Sequence, residues 1–195
     1  RITPSSRFHC KAQICGDVLL SVVEKHMEEA IFSACSILGF SLEEFPATIE
    51  GENNFPISRG FGSSAAFAVA LVHALGQYRE DKTGQKLLEQ EFFESTFAIE
   101  RLFHGTPSGI DTAVISKRTG ILFQSGKVVK QYKSFPYEVL AVDSGCRENC
   151  SVIVSRLASR RDLPEYKSLA QEMHLLVNQC EQAMQGSGSL AQIAS

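Results

Sequence analysis

Residues 59–66 read Arg-Gly-Phe-Gly-Ser-Ser-Ala-Ala, a glycine-rich loop that leads directly into an apolar segment. Residues 64–78 are apolar around nearly the whole circumference of a helix, which predicts that this helix is buried on most sides. Gly60 and Gly62 can adopt positive φ and allow a ligand to approach the backbone closely. The free N–H groups at the start of the helix then favour an anion. The stretch therefore predicts a phosphate-binding loop, and a glycine-rich turn with a serine N-cap remains the alternative.

A second stretch, residues 100–111, reads Glu-Arg-Leu-Phe-His-Gly-Thr-Pro-Ser-Gly-Ile-Asp. Glu100 is predicted to lie in the last turn of a helix, where the helix dipole disfavours a carboxylate. Asp111 follows a tight Pro-Ser-Gly turn and is predicted to begin a short helix. Two carboxylates in different surroundings can divide the work of phosphoryl transfer, one binding Mg²⁺ and the other accepting a proton from the attacking hydroxyl. A helix cap at Asp111 and a surface charge at Glu100 remain the alternatives.

Together the two stretches resemble the galactokinase, homoserine kinase, mevalonate kinase and phosphomevalonate kinase (GHMP kinase) superfamily, and the second is closest to its mevalonate kinases. The resemblance is specific over residues 55–124 and weaker over residues 137–185. It implies an α+β fold in two lobes. Residues 1–134 would form most of a nucleotide-binding lobe like the ribosomal protein S5 domain, and residues 135–195 would begin a ferredoxin-like lobe.

The resemblance also implies a role for individual residues. Ser64 and Glu100 match the family's Mg²⁺ ligands, and Asp111 matches its catalytic aspartate. The ATP phosphates would lie against the glycine-rich loop, formed by Gly60, Phe61, Gly62, Ser63, Ser64 and Ala65. The acceptor side would be lined by His104, Gly109, Asp111 and Ser144. The chain departs from the family near this last residue, because Cys150 stands where many members have a hydroxyl residue.

The activity that the resemblance implies is ATP- and Mg²⁺-dependent phosphorylation of the primary hydroxyl of mevalonate, giving phosphomevalonate for isoprenoid biosynthesis. Another kinase of the superfamily, acting on phosphomevalonate, a sugar or homoserine, is the nearest alternative. A catalytically silent member that binds a metabolite is the alternative from a different class. Retention of Ser64, Glu100 and Asp111 favours the enzyme.

Two motifs that the resemblance implies are missing. The first supplies a lysine beside the transferred phosphate, and only Lys11-Ala12-Gln13-Ile14-Cys15-Gly16-Asp17 echoes it. The second is a C-terminal glycine-rich loop. Both absences indicate a chain truncated at its two ends, and we expect the 195 residues alone to be inactive as a kinase.

Composition excludes several other classes of protein. The formal net charge of -3 argues against a nucleic-acid-binding protein, which usually carries a basic face. No run of about 18 apolar residues is present, so the sequence predicts no membrane-spanning helix. The six cysteines form no C-x-x-C pair, which favours reduced thiols in a cytoplasmic protein. The oligomeric state stays open, with a homodimer as one option.

The spacing of apolar residues places the remaining elements. Helices are predicted at 18–38, 64–78, 85–103, 149–161 and 164–185. Strands are predicted at 47–50 and 137–143, with a loop after the first of them and a β-hairpin formed by 120–124 and 127–133.

Overall fold

The fold was obtained as a computed structural model, and the structure describes residues 2–4, 9–15, 20–40, 47–57, 59–133, 138, 140–142 and 150–185. The chain folds as two compact units, Arg1–Arg118 and Thr119–Ser195. The division into an S5-like lobe and a ferredoxin-like lobe at residue 134 stays a prediction. Both helices and strands are present in each unit, as the α+β prediction requires.

The first unit contains a three-stranded sheet with the order β1-β3-β2. Its strands are β1 (Ile2–Pro4), β2 (His9–Cys15) and β3 (Ala47–Pro56). β1 is antiparallel to β3, whereas β2 is parallel to it, and the parallel connection runs through helix α1 (Leu20–Ile37). A parallel neighbour needs such a crossover because a tight turn cannot join two parallel strands.

The strand at 47–50 is longer than the sequence predicts. β3 continues to Pro56 because β2 pairs with it over this whole stretch, from His9 opposite Thr48 to Cys15 opposite Pro56. The prediction of a loop directly after Glu50 was therefore wrong. The sequence pattern also missed β1 and β2, whose partner strand is distant along the chain.

Three further helices complete the first unit: α2 (Ser63–Thr83), α3 (Glu89–His104) and α4 (Ile110–Lys117). α2 is buried on most sides, as predicted, and extends beyond Tyr78. The core joins α1, β3, α2 and α3 through Ala30, Ile31, Ala34, Cys35, Leu38, Ile49, Ala68, Val69, Leu71, Val72, Leu75, Phe92 and Ile99.

α2 and α3 form an antiparallel pair that is linked at both ends. At one end, the guanidinium of Arg79 donates to both carboxylate oxygens of Glu91, at 2.8 and 2.6 Å. Glu91 also accepts the backbone N–H of Leu88 at 2.9 Å, which fixes the start of α3 at Glu89 instead of the predicted residue 85. At the other end, the beginning of α2 meets the end of α3, and this is where the two sequence motifs lie.

The second unit contains a β-hairpin and two helices. β4 (Gly120–Gln124) and β5 (Lys127–Tyr132) are joined by Ser125 and Gly126, both with positive φ, as a two-residue hairpin turn requires. The helices are α5 (Cys150–Ala158) and α6 (Pro164–Met184). Glu138 and residues 140–142 form no strand, and the rest of the strand predicted at 137–143 lies outside the described residues. Within the described ranges, no helix is both long and apolar enough to cross a membrane.

Candidate active site

The glycine-rich loop adopts the backbone conformation that its glycines allow. Gly60 and Gly62 have φ values of 79° and 67°, in the left-handed region that favours glycine. Gly62 is the N-cap residue of α2 and, lacking a side chain, leaves the first-turn N–H groups of this helix available to a ligand. Phe61 is exposed, whereas Ala65 is fully buried and anchors the first turn in the core. The local geometry is that of an anion-binding helix start.

Ser64, in the first turn of α2, contacts the end of α3. Its hydroxyl donates to Oε1 of Glu100 at 3.3 Å, and its Oγ lies 2.7 Å from Nε2 of His104. The Ser64 hydroxyl has a single proton. If it donates that proton to Glu100, its contact with His104 is a hydrogen bond only in the tautomer that carries a proton on Nε2, which then donates to Oγ of Ser64. The two predicted Mg²⁺ ligands are therefore neighbours, although they lie on different helices.

Glu100 is a buried carboxylate, with only 3% of its surface exposed. Its other oxygen, Oε2, accepts a hydrogen bond from the hydroxyl of Thr112 at 3.2 Å. Burial raises the pKa of Glu100, and this is the largest effect. The shift is opposed by the Thr112 hydrogen bond, the His104 imidazole and the Ser64 hydroxyl. The negative charge of Asp111 raises the pKa further. The alternative that Glu100 is a surface charge is wrong, because the helix contacts enclose it.

Asp111 lies beside the glycine-rich loop. A β-carbon on Gly62 would be 3.8 Å from Cγ of Asp111, so the two motifs meet at this point. The Asp111 side chain is exposed, in the first turn of α4, and Gly109 with φ of 82° is the N-cap residue. Asp111 is thus not the N-cap residue of α4, so the helix-cap alternative is wrong, and its carboxylate is open to solvent and ligands.

The residues present fit a divalent cation bound together with phosphates. Mg²⁺ prefers oxygen ligands at about 2.0–2.1 Å, and two neighbouring ligands of an octahedral ion then lie about 2.9 Å apart. Ser64 Oγ and Glu100 Oε1 are 3.3 Å apart, so a shift of a few tenths of an ångström would let both reach one ion. The described residues contain no cluster of three His, Cys, Asp or Glu side chains placed to hold a metal. Few protein ligands suffice where phosphates supply the others.

The structure brings together most of the site residues predicted from the sequence. Gly60 to Ala65, Glu100, His104, Gly109 and Asp111 all lie in the first unit, around the start of α2. Ser144 lies outside the described residues. Sequence reasoning missed the hydrogen bond from Thr112 to Glu100 and the contact between His104 and Ser64. The hydroxyl of Thr112, directly after Asp111, was the only sign in the sequence of its hydrogen bond to Glu100. It was not decisive, because threonines in helices usually bond the backbone of their own helix.

Comparison with known proteins adds independent findings. The model for "GHMP kinases N terminal domain" matches residues 21–118, which include α2 to α4 and all of α1 except its first residue. Mevalonate kinase of Arabidopsis thaliana is 32% identical over 136 residues, which cover 64% of this chain and 34% of that protein. Mevalonate kinase of Thermococcus gammatolerans is 28% identical over 124 residues, covering 60% of this chain and 34% of that protein. The chain thus spans about a third of the length of these two relatives.

A solved structure shows the same fold. The structure of L. major mevalonate kinase in complex with R-mevalonate matches with a TM-score of 0.68 and 22% sequence identity. The match covers 98% of this chain and 60% of that one. The arrangement of helices and strands described above is therefore the one found in that kinase.

Proposed function

This chain belongs to the GHMP kinase family, and on that premise we propose that the protein transfers the γ-phosphoryl group of ATP to the primary hydroxyl of mevalonate. The observation that carries the proposal is the contact between Ser64 and Glu100, next to the point where Gly62 and Asp111 lie close together. It joins an anion-binding loop, a pair of oxygen ligands and an accessible carboxylate. The mevalonate kinases among the relatives support mevalonate as the acceptor.

The nucleotide phosphates would lie against the glycine-rich loop, formed by Gly60, Phe61, Gly62, Ser63, Ser64 and Ala65. The N–H groups of the first turn of α2 and the positive end of its dipole stabilise the negative charge there. Ser64 and Glu100 would hold Mg²⁺, which when bound neutralises charge on the phosphates and orients them. The protein itself would position the two substrates and hold its charged and polar groups in place before the reaction begins.

Asp111 would act on the acceptor. The oxygen of the mevalonate hydroxyl forms a bond to the γ-phosphorus while the bond from that phosphorus to the β–γ bridging oxygen breaks, and ADP leaves with the electron pair. The hydroxyl proton passes to the Asp111 carboxylate. This residue suits the task because it is exposed and beside Gly62, whereas Glu100 is buried and hydrogen-bonded on both oxygens.

Acceptor contacts by His104, Gly109 and Ser144 remain part of the proposal. Gly109 precedes Asp111 in the turn that begins α4, so its backbone is close to the reacting carboxylate. His104 Nε2 lies 2.7 Å from Ser64 Oγ, so an acceptor group that contacts this imidazole would lie close to the proposed ligand pair.

We also propose a cytoplasmic location. Cys35 is a buried free thiol in the core, and burial raises its pKa to about 12. A thiol so held behaves as a small apolar side chain and not as a disulfide partner. This use of cysteine is typical of a reducing compartment.

The test is acceptor-dependent ADP release by the intact gene product that contains this chain. We expect turnover with mevalonate and not with phosphomevalonate, galactose or homoserine. Asp111→Asn keeps the shape of the side chain, and it should lower kcat by about 10²–10⁴, the usual loss for a general base. Asp81→Asn, an exposed aspartate at the far end of α2, is the matched control and should keep wild-type kcat.

Three outcomes would contradict the proposal. Turnover with a different acceptor would show another kinase of the family. ATP hydrolysis without any phosphorylated acceptor would support a silent, metabolite-binding member. An Asp111→Asn variant that keeps more than about a tenth of wild-type kcat would remove Asp111 from proton transfer.

A further inference from the structure

Thr112 is the one hydroxyl among the described residues whose hydrogen bond reaches the buried carboxylate of Glu100 from α4. We propose that Thr112 is a positioning residue for Glu100: it holds Oε2 and thereby keeps Oε1 directed at Ser64 and the cation. This inference rests on the proposed function, because it concerns the ligand pair that would hold Mg²⁺. It assigns a task to a side chain that touches neither nucleotide nor acceptor in the proposed mechanism.

The direction of the Thr112 hydroxyl is unusual for a helical residue. Serine and threonine in helices commonly donate to a carbonyl one turn back in their own helix. Three others among the described residues of the first unit do so: Ser116 donates to the carbonyl of Thr112 at 2.6 Å, Thr96 to that of Phe92 at 2.9 Å, and Thr83 to that of Arg79 at 2.8 Å. Thr112 instead donates across to α3. Its hydroxyl therefore serves a contact between helices and not its own helix.

Burial makes this contact matter. Thr112 and Glu100 are each 3% exposed, so water does not readily replace a lost partner at either group. The terminal torsion of a glutamate is broad, which means that the chain alone does not fix which oxygen faces Ser64. Ser64 contacts Oε1 at 3.3 Å, and Thr112 contacts Oε2 at 3.2 Å. The two hydroxyls, from α2 and α4, thus set the plane of the carboxylate together.

The position of Thr112 in α4 also connects the two carboxylates. Asp111 and Thr112 are consecutive, and in a helix consecutive side chains point in directions about 100° apart. The exposed Asp111 lies beside Gly62, while the buried Thr112 contacts Glu100. One turn of α4 therefore holds the proposed proton acceptor and, through Thr112, orients the proposed metal ligand.

The experiment measures binding of Mn²⁺, a spectroscopic substitute for Mg²⁺, to the intact gene product that contains this chain, in the presence of a non-hydrolysable ATP analogue. Free Mn²⁺ is read by electron paramagnetic resonance. Thr112→Val keeps the shape and removes the hydroxyl, and we expect it to weaken Mn²⁺ binding about tenfold, within the range usual for residues that orient metal ligands. Thr112→Ser, which restores the hydroxyl, should return the affinity to within about threefold of wild type.

Two controls separate positioning from a general structural effect. Ser116→Ala removes a hydroxyl from the same helix that bonds only backbone, and it should leave Mn²⁺ affinity unchanged. The affinity of the ATP analogue in the presence of EDTA, where no cation contributes, should be the same in wild type and Thr112→Val. Thermal unfolding of each variant confirms that the binding data come from folded protein.

Glu100→Gln distinguishes the failure of this inference from the failure of the proposed function. If Glu100→Gln binds Mn²⁺ as wild type does, Glu100 is no ligand, and both the metal site and the Thr112 assignment are overturned. If Glu100→Gln weakens Mn²⁺ binding but Thr112→Val does not, the metal site stands and the Thr112 assignment is overturned. Equal weakening of Mn²⁺ and metal-free nucleotide by Thr112→Val, or no recovery in a folded Thr112→Ser, would also overturn it.

Discussion

The ion pair between Arg79 and Glu91 holds together the two helices that carry the site, and its removal should destabilise the protein in a pH-dependent way. Arg79 is buried, at 7% exposed, and its guanidinium contacts both oxygens of Glu91. Since α2 and α3 are antiparallel, this pair lies at the opposite end of the helix pair from Ser64 and Glu100. Glu91→Gln removes the negative charge while keeping the shape of the side chain.

The magnitude follows from the pKa of Glu91, which the guanidinium of Arg79 and the Leu88 N–H lower from 4.5 to about 2. Each pH unit of difference corresponds to about 1.36 kcal/mol, which gives at most roughly 3 kcal/mol. The Glu91 side chain is 28% exposed, so solvent screening reduces the expected contribution of the ion pair to the free energy of unfolding to about 2 kcal/mol. Because the folded pKa lies below the unfolded value of 4.5, this stability is present above that value and is lost as the pH falls from about 5 towards about 2.

The assay is urea unfolding of wild type and Glu91→Gln across this pH range. We expect the difference in free energy of unfolding to be about 2 kcal/mol near pH 7 and to shrink steadily below about pH 5. Glu94→Gln, an exposed glutamate on the same helix, is the control and should change stability by less than about 0.5 kcal/mol. A difference that is absent near neutral pH, or that stays constant down to about pH 3, would refute the reasoning.

Two further predictions concern the proposed site itself. His104→Leu should weaken Mn²⁺ binding about tenfold, because the Ser64 hydroxyl loses its hydrogen-bond partner at 2.7 Å. His104→Gln, which can still form a hydrogen bond, should keep most of the Mn²⁺ affinity. His174→Gln on α6 is the control and should keep all of it. Unchanged Mn²⁺ affinity with a raised KM for mevalonate in His104→Leu would instead assign His104 to the acceptor. Gly62 and Gly84 lie at the two ends of α2, with φ of 67° and 74°. Replacing either by alanine should lower the free energy of unfolding by about 1 kcal/mol, because alanine is strained at such a φ. Only Gly62→Ala should also weaken ATP binding in a nucleotide titration. Equal ATP affinity in the two glycine variants would remove Gly62 from the nucleotide site.

Local sequence was sufficient for the parts of the fold that local physics decides. The apolar circumference of residues 64–78 predicted a buried helix, and Ser125-Gly126 between alternating stretches predicted a hairpin. The start of α3 was predicted too early because it depends on Glu91, whose carboxylate binds Arg79 and the Leu88 N–H at once. That arrangement exists only after α2 and α3 have paired. The same holds for β2, which becomes a strand by pairing with β3.

The site shows the same limit in a sharper form. The residue types of the two motifs predicted which side chains form the proposed site, and the structure places Ser64 against Glu100 and Gly62 against Asp111. Neither contact can be read from spacing, since each joins two helices. Thr112 was missed for the same reason: its residue type fits an ordinary helix position, and only the location of α3 shows that its hydroxyl bonds a carboxylate.

The placement of Glu100 is itself an argument for a cation. The side chain is buried near the C-terminal end of α3, where the helix dipole disfavours a negative charge and desolvation raises its pKa. Hydrogen bonds from Ser64 and Thr112 stabilise the carboxylate, but each is long, at 3.3 and 3.2 Å, and both donors are neutral. For the fold alone, an apolar side chain of similar size at such a buried position is often at least as stabilising as a charged one. A divalent ion on Oε1, as proposed above, would place a positive charge against this buried carboxylate and offset the cost of its desolvation.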